Sequence, residues 1–314
     1  MSNHLLPNRI LVTGGSGFVG AAVVRRLIDQ GREVAVLLRG NDVPWRLRDM
    51  WSHIQVIRGD LTRLSEAASA IQVFRPQAVA HLAWEGVKGN DRNHPMQLNN
   101  VQASFELYRL ARDVGAHGFV GLGSQAEYGP CEGRITESTP TRPTTLYGAT
   151  KLGTALALDR LAVAEDFPFA WLRLFSTYGP ADEPTWLIPY VTRQLLASQR
   201  PALSAAEQVW DYLHVRDVAG AVLAVLDRQP RGLFNLGSGQ ALPLRTIIER
   251  VRDEVDASLP LGFGEVPYRP DQVMHLEADI SALSAACGWR PTIDLASGIR
   301  ETVDWFRNKD RHDF

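Results

Sequence analysis

The chain has 314 residues, enough for one large α/β domain or for a domain with a smaller appendage. Its formal net charge of −2 provides no global attraction to nucleic acid or to an anionic membrane, and 45% hydrophobic residues is ordinary for a soluble globular protein. The longest apolar run, "VAGAVLAVL" from Val218, falls well short of the roughly 20 residues a membrane helix needs.

In chain order, "MSNHLLPNR" is too short and polar for a signal peptide. "RILVTGG" reads as a buried strand, and "FVGAAVVRRLIDQG" as a helix stopped at Gly31. "EVAVLLR" and "IQVIRGDL" are further strands, "LSEAASAIQVF" a helix and "PQAVAHLAW" a strand. "NVQASFELYRLARDVG" is a long amphipathic helix followed by the strand "GFVGLGS". "LYGATKLGTALALDRLAVAEDF" is another helix and "FAWLRLFS" another strand. Strands alternating with helical patterns predict βαβ units and a parallel sheet covered on both faces. From about Gly179 the texture becomes turn-rich, which marks a second, smaller region. Cys131 and Cys287 are far apart and in no metal-like spacing, so neither a disulfide framework nor a metal site is expected, and a reducing cytoplasm is.

Gly14, Gly17 and Gly20 follow the first strand and open the first helix, spaced G-x-x-G-x-x-G. Residues without side chains let the backbone approach a pyrophosphate, and the helix N-terminus offers free N–H groups and a positive dipole end. This turn therefore predicts dinucleotide binding, with Gly14, Ser16, Gly17, Phe18 and Val19 as its candidates. Tyr147 and Lys151 stand four residues apart on a predicted helix and project from one face. A phenol with its ordinary pKa of about 10 is a sluggish proton donor at neutral pH, and a nearby ammonium favours its ionised form. Ser124 sits just past a strand, at the ligand-binding edge of an open parallel sheet, where its hydroxyl can bond a substrate carbonyl.

Together these features resemble the extended short-chain dehydrogenase/reductases, the group of nucleotide-sugar epimerases, dehydratases and reductases. Besides "TGGSGFVG", Ser124 and Tyr147-x-x-x-Lys151, the resemblance rests on "GDL" at Gly59, "HLA" at His81, "NV" at Asn100, "RLFSTYGP" at Arg173, "WDYLHVRDVA" at Trp210, "FNLGSG" at Phe234 and "CGWRP" at Cys287. It implies a Rossmann-type doubly wound parallel sheet, built from residues 1–175 plus about 210–236. A smaller region for the nucleotide sugar would comprise about 176–209 and 237–314. It also implies that Asp60 and Leu61 hold the adenine, that Leu82 and Ala83 line the cofactor groove, and that Lys151 holds the nicotinamide ribose as well. Asp211, His214 and Asp217 would hold the returning chain, with His81 structural. A homodimer built from two helices per subunit is expected, as is a nucleoside-diphosphate sugar as substrate, with no nucleic-acid or membrane partner.

Departures from the family pattern narrow the chemistry. Leu38 takes the place of the acid that bonds the ribose 2′-hydroxyl in NAD enzymes, and Arg39 follows. An arginine there suits a 2′-phosphate, so NADP is expected, with NAD the alternative. Dehydratases carry an Asp-Glu pair directly after the serine position; here Gln125 and Ala126 stand there, and Glu127 comes one place too late. Neither replacement can donate a proton at neutral pH, so dehydration is disfavoured. "GSQAEYG" also resembles the version found in reductases that make deoxysugars from 4-keto precursors. Ser176 stands where many relatives have a substrate-contacting asparagine, Arg269 is the candidate for the diphosphate, and Trp84 and Glu85 for the border of the sugar. The expected activity is reduction of the C4 ketone of a nucleoside-diphosphate 4-keto-sugar, with Ser124, Tyr147 and Lys151 as catalysts. An NAD-dependent epimerase is the rival, and a non-catalytic dinucleotide sensor a third reading.

Overall fold

The computed structural model describes residues 6–268 and 272–308. The chain begins with β1 (Arg9–Thr13), α1 (Phe18–Asp29), β2 (Glu33–Leu38), β3 (Ile54–Arg58), α2 (Ala68–Phe74), β4 (Ala78–His81) and α3 (Gln97–Asp113). It continues through β5 (Phe119–Ser124), β6 (Arg134–Ile135), α4 (Leu146–Ala164), β7 (Phe169–Leu174), β8 (Ser176–Tyr178) and α5 (Leu187–Leu196). Then come β9 (Val209–His214), α6 (Val215–Arg228), β10 (Gly232–Leu236), β11 (Ala241–Pro243), α7 (Leu244–Asp256), β12 (His275–Ala278), α8 (Ser281–Cys287) and α9 (Leu295–Asn308).

Among the described residues the larger sheet has seven strands in the order β10-β7-β5-β4-β1-β2-β3, and every neighbouring pair is parallel. Strands such as β1 and β2 are apolar on both faces because helices cover both faces. On one side α1, α6, α8 and the segment Trp45–His53 pack together. On the other lie α2, α3 and α4, around an aromatic group of Tyr108, Phe119, Phe167, Phe169 and Trp171. The winding reverses between β1 and β4, so the crevice at their C-terminal ends is where such a sheet takes its ligand. Glycines in β5 make room for Trp171: a Cβ on Gly123 would lie 2.1 Å from the indole Nε1.

A smaller sheet runs β11-β9-β12-β6, with β8 paired to β9, and α5, α7 and α9 enclose its apolar side. Here the boundary expected from sequence is corrected. The resemblance places residues from about 210 in the nucleotide-binding part, yet β9 pairs with β8, β11 and β12, and only α6 and β10 of that stretch rejoin the large sheet. Arg134–Ile135, inside the first 175 residues, likewise pairs with β12. Polar side chains join the two sheets. The Tyr128 hydroxyl donates to Asn235 Oδ1 (2.7 Å) and accepts from Arg173 Nη1 (2.9 Å), while Asn235 Nδ2 donates to the Ile135 carbonyl (2.9 Å). Asp211 accepts from the backbone of Ser238, Gly239 and Ala278, and Asp217 from Thr292 and Ile293, so both pin returning chain. His214 caps α6 by accepting from Arg216 N. Among the described residues no helix is long and apolar enough to cross a membrane.

Candidate active site

The glycine turn lies in that crevice. Gly14 has φ +74°, and a Cβ there would sit 2.6 Å from the Ala83 nitrogen, so the turn presses on the chain leaving β4 at Leu82 and Ala83. Gly17 caps α1 without a side-chain acceptor for the first N–H groups. Ser16 and Gly17 are exposed, Phe18 and Val19 half-buried. A bare turn ending in uncapped N–H groups fits a pyrophosphate. Asp60, at the end of β3, caps the next turn by accepting from Thr62 N (2.8 Å), which with Arg39 nearby holds its carboxyl below the usual range. Leu61 packs half-buried beside it. Arg39, expected to meet a 2′-phosphate, forms an ion pair with Glu85 from the loop after β4. Glu85, expected to border the sugar, is the partner of Arg39, the residue after β2.

Ser124 ends β5 and opens the turn Gln125–Glu127, accepting from Ala126 N (3.2 Å). Glu127 closes this capping box by accepting from Ser124 N (2.9 Å), and it is fully buried. Its carboxylate also accepts from Trp171 Nε1 (2.8 Å) and Arg173 Nε (2.8 Å). The one-place shift relative to dehydratases thus turns the acid into the sheet. Gln125, half-buried, is the first residue of that turn. Ser176 lies in β8 opposite Tyr212, two residues past β7. Arg269 lies outside the described residues.

The N-terminus of α4 is held twice: Thr145 Oγ1 accepts from Gly148 N (3.1 Å), and Asn93 Oδ1 from Leu146 N (2.9 Å). Tyr147 and Lys151 both lie on the buried face of this helix. The Ser124 side chain lies beside the Tyr147 phenol and favours its ionised form. Lys151 Nζ donates to the Leu122 carbonyl (2.5 Å) and stands 3.8 Å above the Trp84 ring. Trp84 in turn meets the Tyr147 ring edge-on, with centroids 6.4 Å apart. Burial pushes the Lys151 ammonium down to about 7, opposed by Glu127. Burial raises the phenol above its ordinary value, and what opposes the rise is the neighbouring Ser124 side chain and the charge of Arg92. The Arg92 guanidinium lies 4.9 Å from the centre of the Tyr147 ring.

Sequence reasoning missed Arg92 and Gln97. Both follow β4 in the polar stretch "GNDRNHPMQ", which carries no motif that distinguishes them from a solvated loop. His81, by contrast, is structural as expected. One ring nitrogen meets Thr13 Oγ1 (2.8 Å) and the other Ser104 Oγ (2.9 Å), and burial lowers its pKa to about 3.

A model of the NAD dependent epimerase/dehydratase family matches residues 10–237. The chain belongs to this family. It is an enzyme of the extended short-chain dehydrogenase/reductase type, and its family members differ in what they do. A dTDP-glucose 4,6-dehydratase of Mycobacterium tuberculosis is 29% identical over 96% of this chain and 94% of its own. A dTDP-6-deoxy-L-talose 4-dehydrogenase (NAD(+)) of Aggregatibacter actinomycetemcomitans is 25% identical over 83% of this chain and 95% of its own. A solved UDP-glucose 4-epimerase of Thermus thermophilus in complex with NAD superposes with a TM-score of 0.85. It is 28% identical, covering 96% of this chain and 99% of that one.

Proposed function

We propose that this family member reduces the C4 ketone of a nucleoside-diphosphate 4-keto-6-deoxysugar. One observation carries the reading: the Ser124 side chain adjoins the Tyr147 phenol with Lys151 one turn on, while Glu127 is turned away to Trp171 and Arg173. Gln125 and Ala126 cannot donate the proton that dehydration requires, and Glu127 is spent on Arg173 and Trp171.

The glycine turn and the N-terminus of α1 would hold the dinucleotide pyrophosphate, Asp60 and Leu61 the adenine, and Lys151 the nicotinamide ribose. When bound, the cofactor supplies the hydride. Tyr147 gives the substrate oxygen its proton, and Ser124 steadies that oxygen as negative charge builds on it. Leu38 and Arg39 support NADP, although the Glu85 carboxylate beside Arg39 weighs toward NAD. The Glu85 pairing and the kinship with an NAD-bound epimerase also support the second reading, an epimerase that oxidises and re-reduces C4 without net consumption of cofactor.

The deciding experiment supplies dTDP-4-keto-6-deoxyglucose with NADPH or NADH. One equivalent of cofactor oxidised per sugar, lost at least about 100-fold in Tyr147→Phe, is expected. Interconversion of UDP-glucose and UDP-galactose without added cofactor, and no consumption with the keto-sugar, would favour the epimerase. The exposed Leu98 on α3 and Leu156 and Val163 on α4 support a homodimer through these helices, to be checked by light scattering.

A further inference from the structure

Tyr147 has neighbours on four elements. On its own helix Lys151 lies over Trp84. From the turn after β5, the Ser124 side chain favours ionisation of the phenol and the Glu127 carboxylate disfavours it. Trp84, after β4, is uncharged and edge-on. From the segment Gly89–Asn93 comes Arg92, whose guanidinium covers the ring at 4.9 Å.

That segment is clamped. Asn93 Oδ1 accepts from the first N–H of α4. The fully buried Gln97 donates through Nε2 to the carbonyls of Gly86 (2.7 Å) and Asp91 (2.9 Å), and accepts from Trp84 Nε1 (2.7 Å). Arg92 Nε is buried without a hydrogen-bond partner among the described residues. A buried donor left unpaired is costly unless something else holds the group in place. A cation over an aromatic face gains from the ring quadrupole, and gains far more once the phenol is ionised.

We infer that Arg92 is a positioning residue for the proton donor: held over the Tyr147 ring by Asn93 and Gln97, it supplies the positive field that favours the phenolate. It acts through Tyr147 and adds to the Lys151 chemistry of the family. The inference rests on the proposed role of Tyr147 as proton donor, but its test needs neither sugar nor cofactor.

Tyrosinate absorbance is followed against pH in the wild type, Arg92→Met and Arg92→Lys, with Tyr147→Phe subtracted to isolate the one phenol. Arg92→Met should raise its apparent pKa by about one unit, a tenfold smaller phenolate fraction at fixed pH, and Arg92→Lys should restore most of that. Curves for Arg92→Met that superpose on the wild type, or Arg92→Lys no better than Arg92→Met, would overturn the inference. Under turnover, Arg92→Met should lower kcat near neutral pH with KM little changed; a raised KM at constant kcat would make Arg92 a substrate ligand instead. An unchanged titration leaves the ketoreductase reading standing. A shifted titration in a protein that consumes no cofactor with the keto-sugar leaves only Arg92 standing.

Discussion

Glu127 shows how one position changes the task of a carboxylate. At position 126 it would take the place of the dehydratase glutamate; one place later it accepts from Trp171 and Arg173 instead. Removing its charge strands a buried guanidinium, so Glu127→Gln should cost about 3 kcal/mol, read as a lower urea midpoint. Glu85 and Arg39 are exposed, so their ion pair is worth little to the fold; under the proposed function it would bear on the choice between NADP and NAD. Glu85→Gln should strengthen NADP binding relative to NAD in a thermal-shift titration. An unchanged preference would free Glu85 of that role. At this scale the glycine turn and the Ser-Tyr-Lys set were legible, because spacing along one turn or one helix carries them. Arg92, Gln97 and the partner of Arg39 were not, since contacts between loops leave no local pattern.

Elements were more legible than their partners. The alternation of apolar strands and helices announces a parallel sheet, but a strand's own residues do not say which sheet it joins. β9 shows this: the family resemblance places it with the nucleotide-binding part, yet it pairs outside the large sheet. In β5 the glycines suit the bulk of β7: Gly123→Ala should force Trp171 aside and lower the melting temperature, with Trp fluorescence shifted. The loop between β8 and α5 carries Asp182, only 2% exposed, whose carboxyl burial pushes up to about 7. A pKa raised on folding gives stability that is present below the unfolded value and lost as pH rises through the folded one. Asp182→Asn keeps an oxygen for the Glu183 N–H and should therefore stabilise by about 2 kcal/mol at pH 8 and little near pH 4.

For the molecule as a whole, two buried histidines act in the opposite sense to Asp182. Burial holds His81 at about 3 and His214 at about 4, so each stays neutral while the unfolded chain takes up a proton below about 6.5. Stability should fall as pH drops from 6.5 toward 4, and a melting temperature that stays flat over that window would contradict it. The join between the sheets has its own consequence. Tyr128 reaches Asn235 across 107 residues of sequence, and Arg173 reaches Tyr128 across 45. Neither half of such an enzyme can be exchanged for a homologue's without carrying its counterpart along. A chimera with a breakpoint between 128 and 235 would leave a guanidinium, a phenol or a carboxamide facing apolar neighbours, so recombined variants that fold should be those whose crossovers avoid this interval.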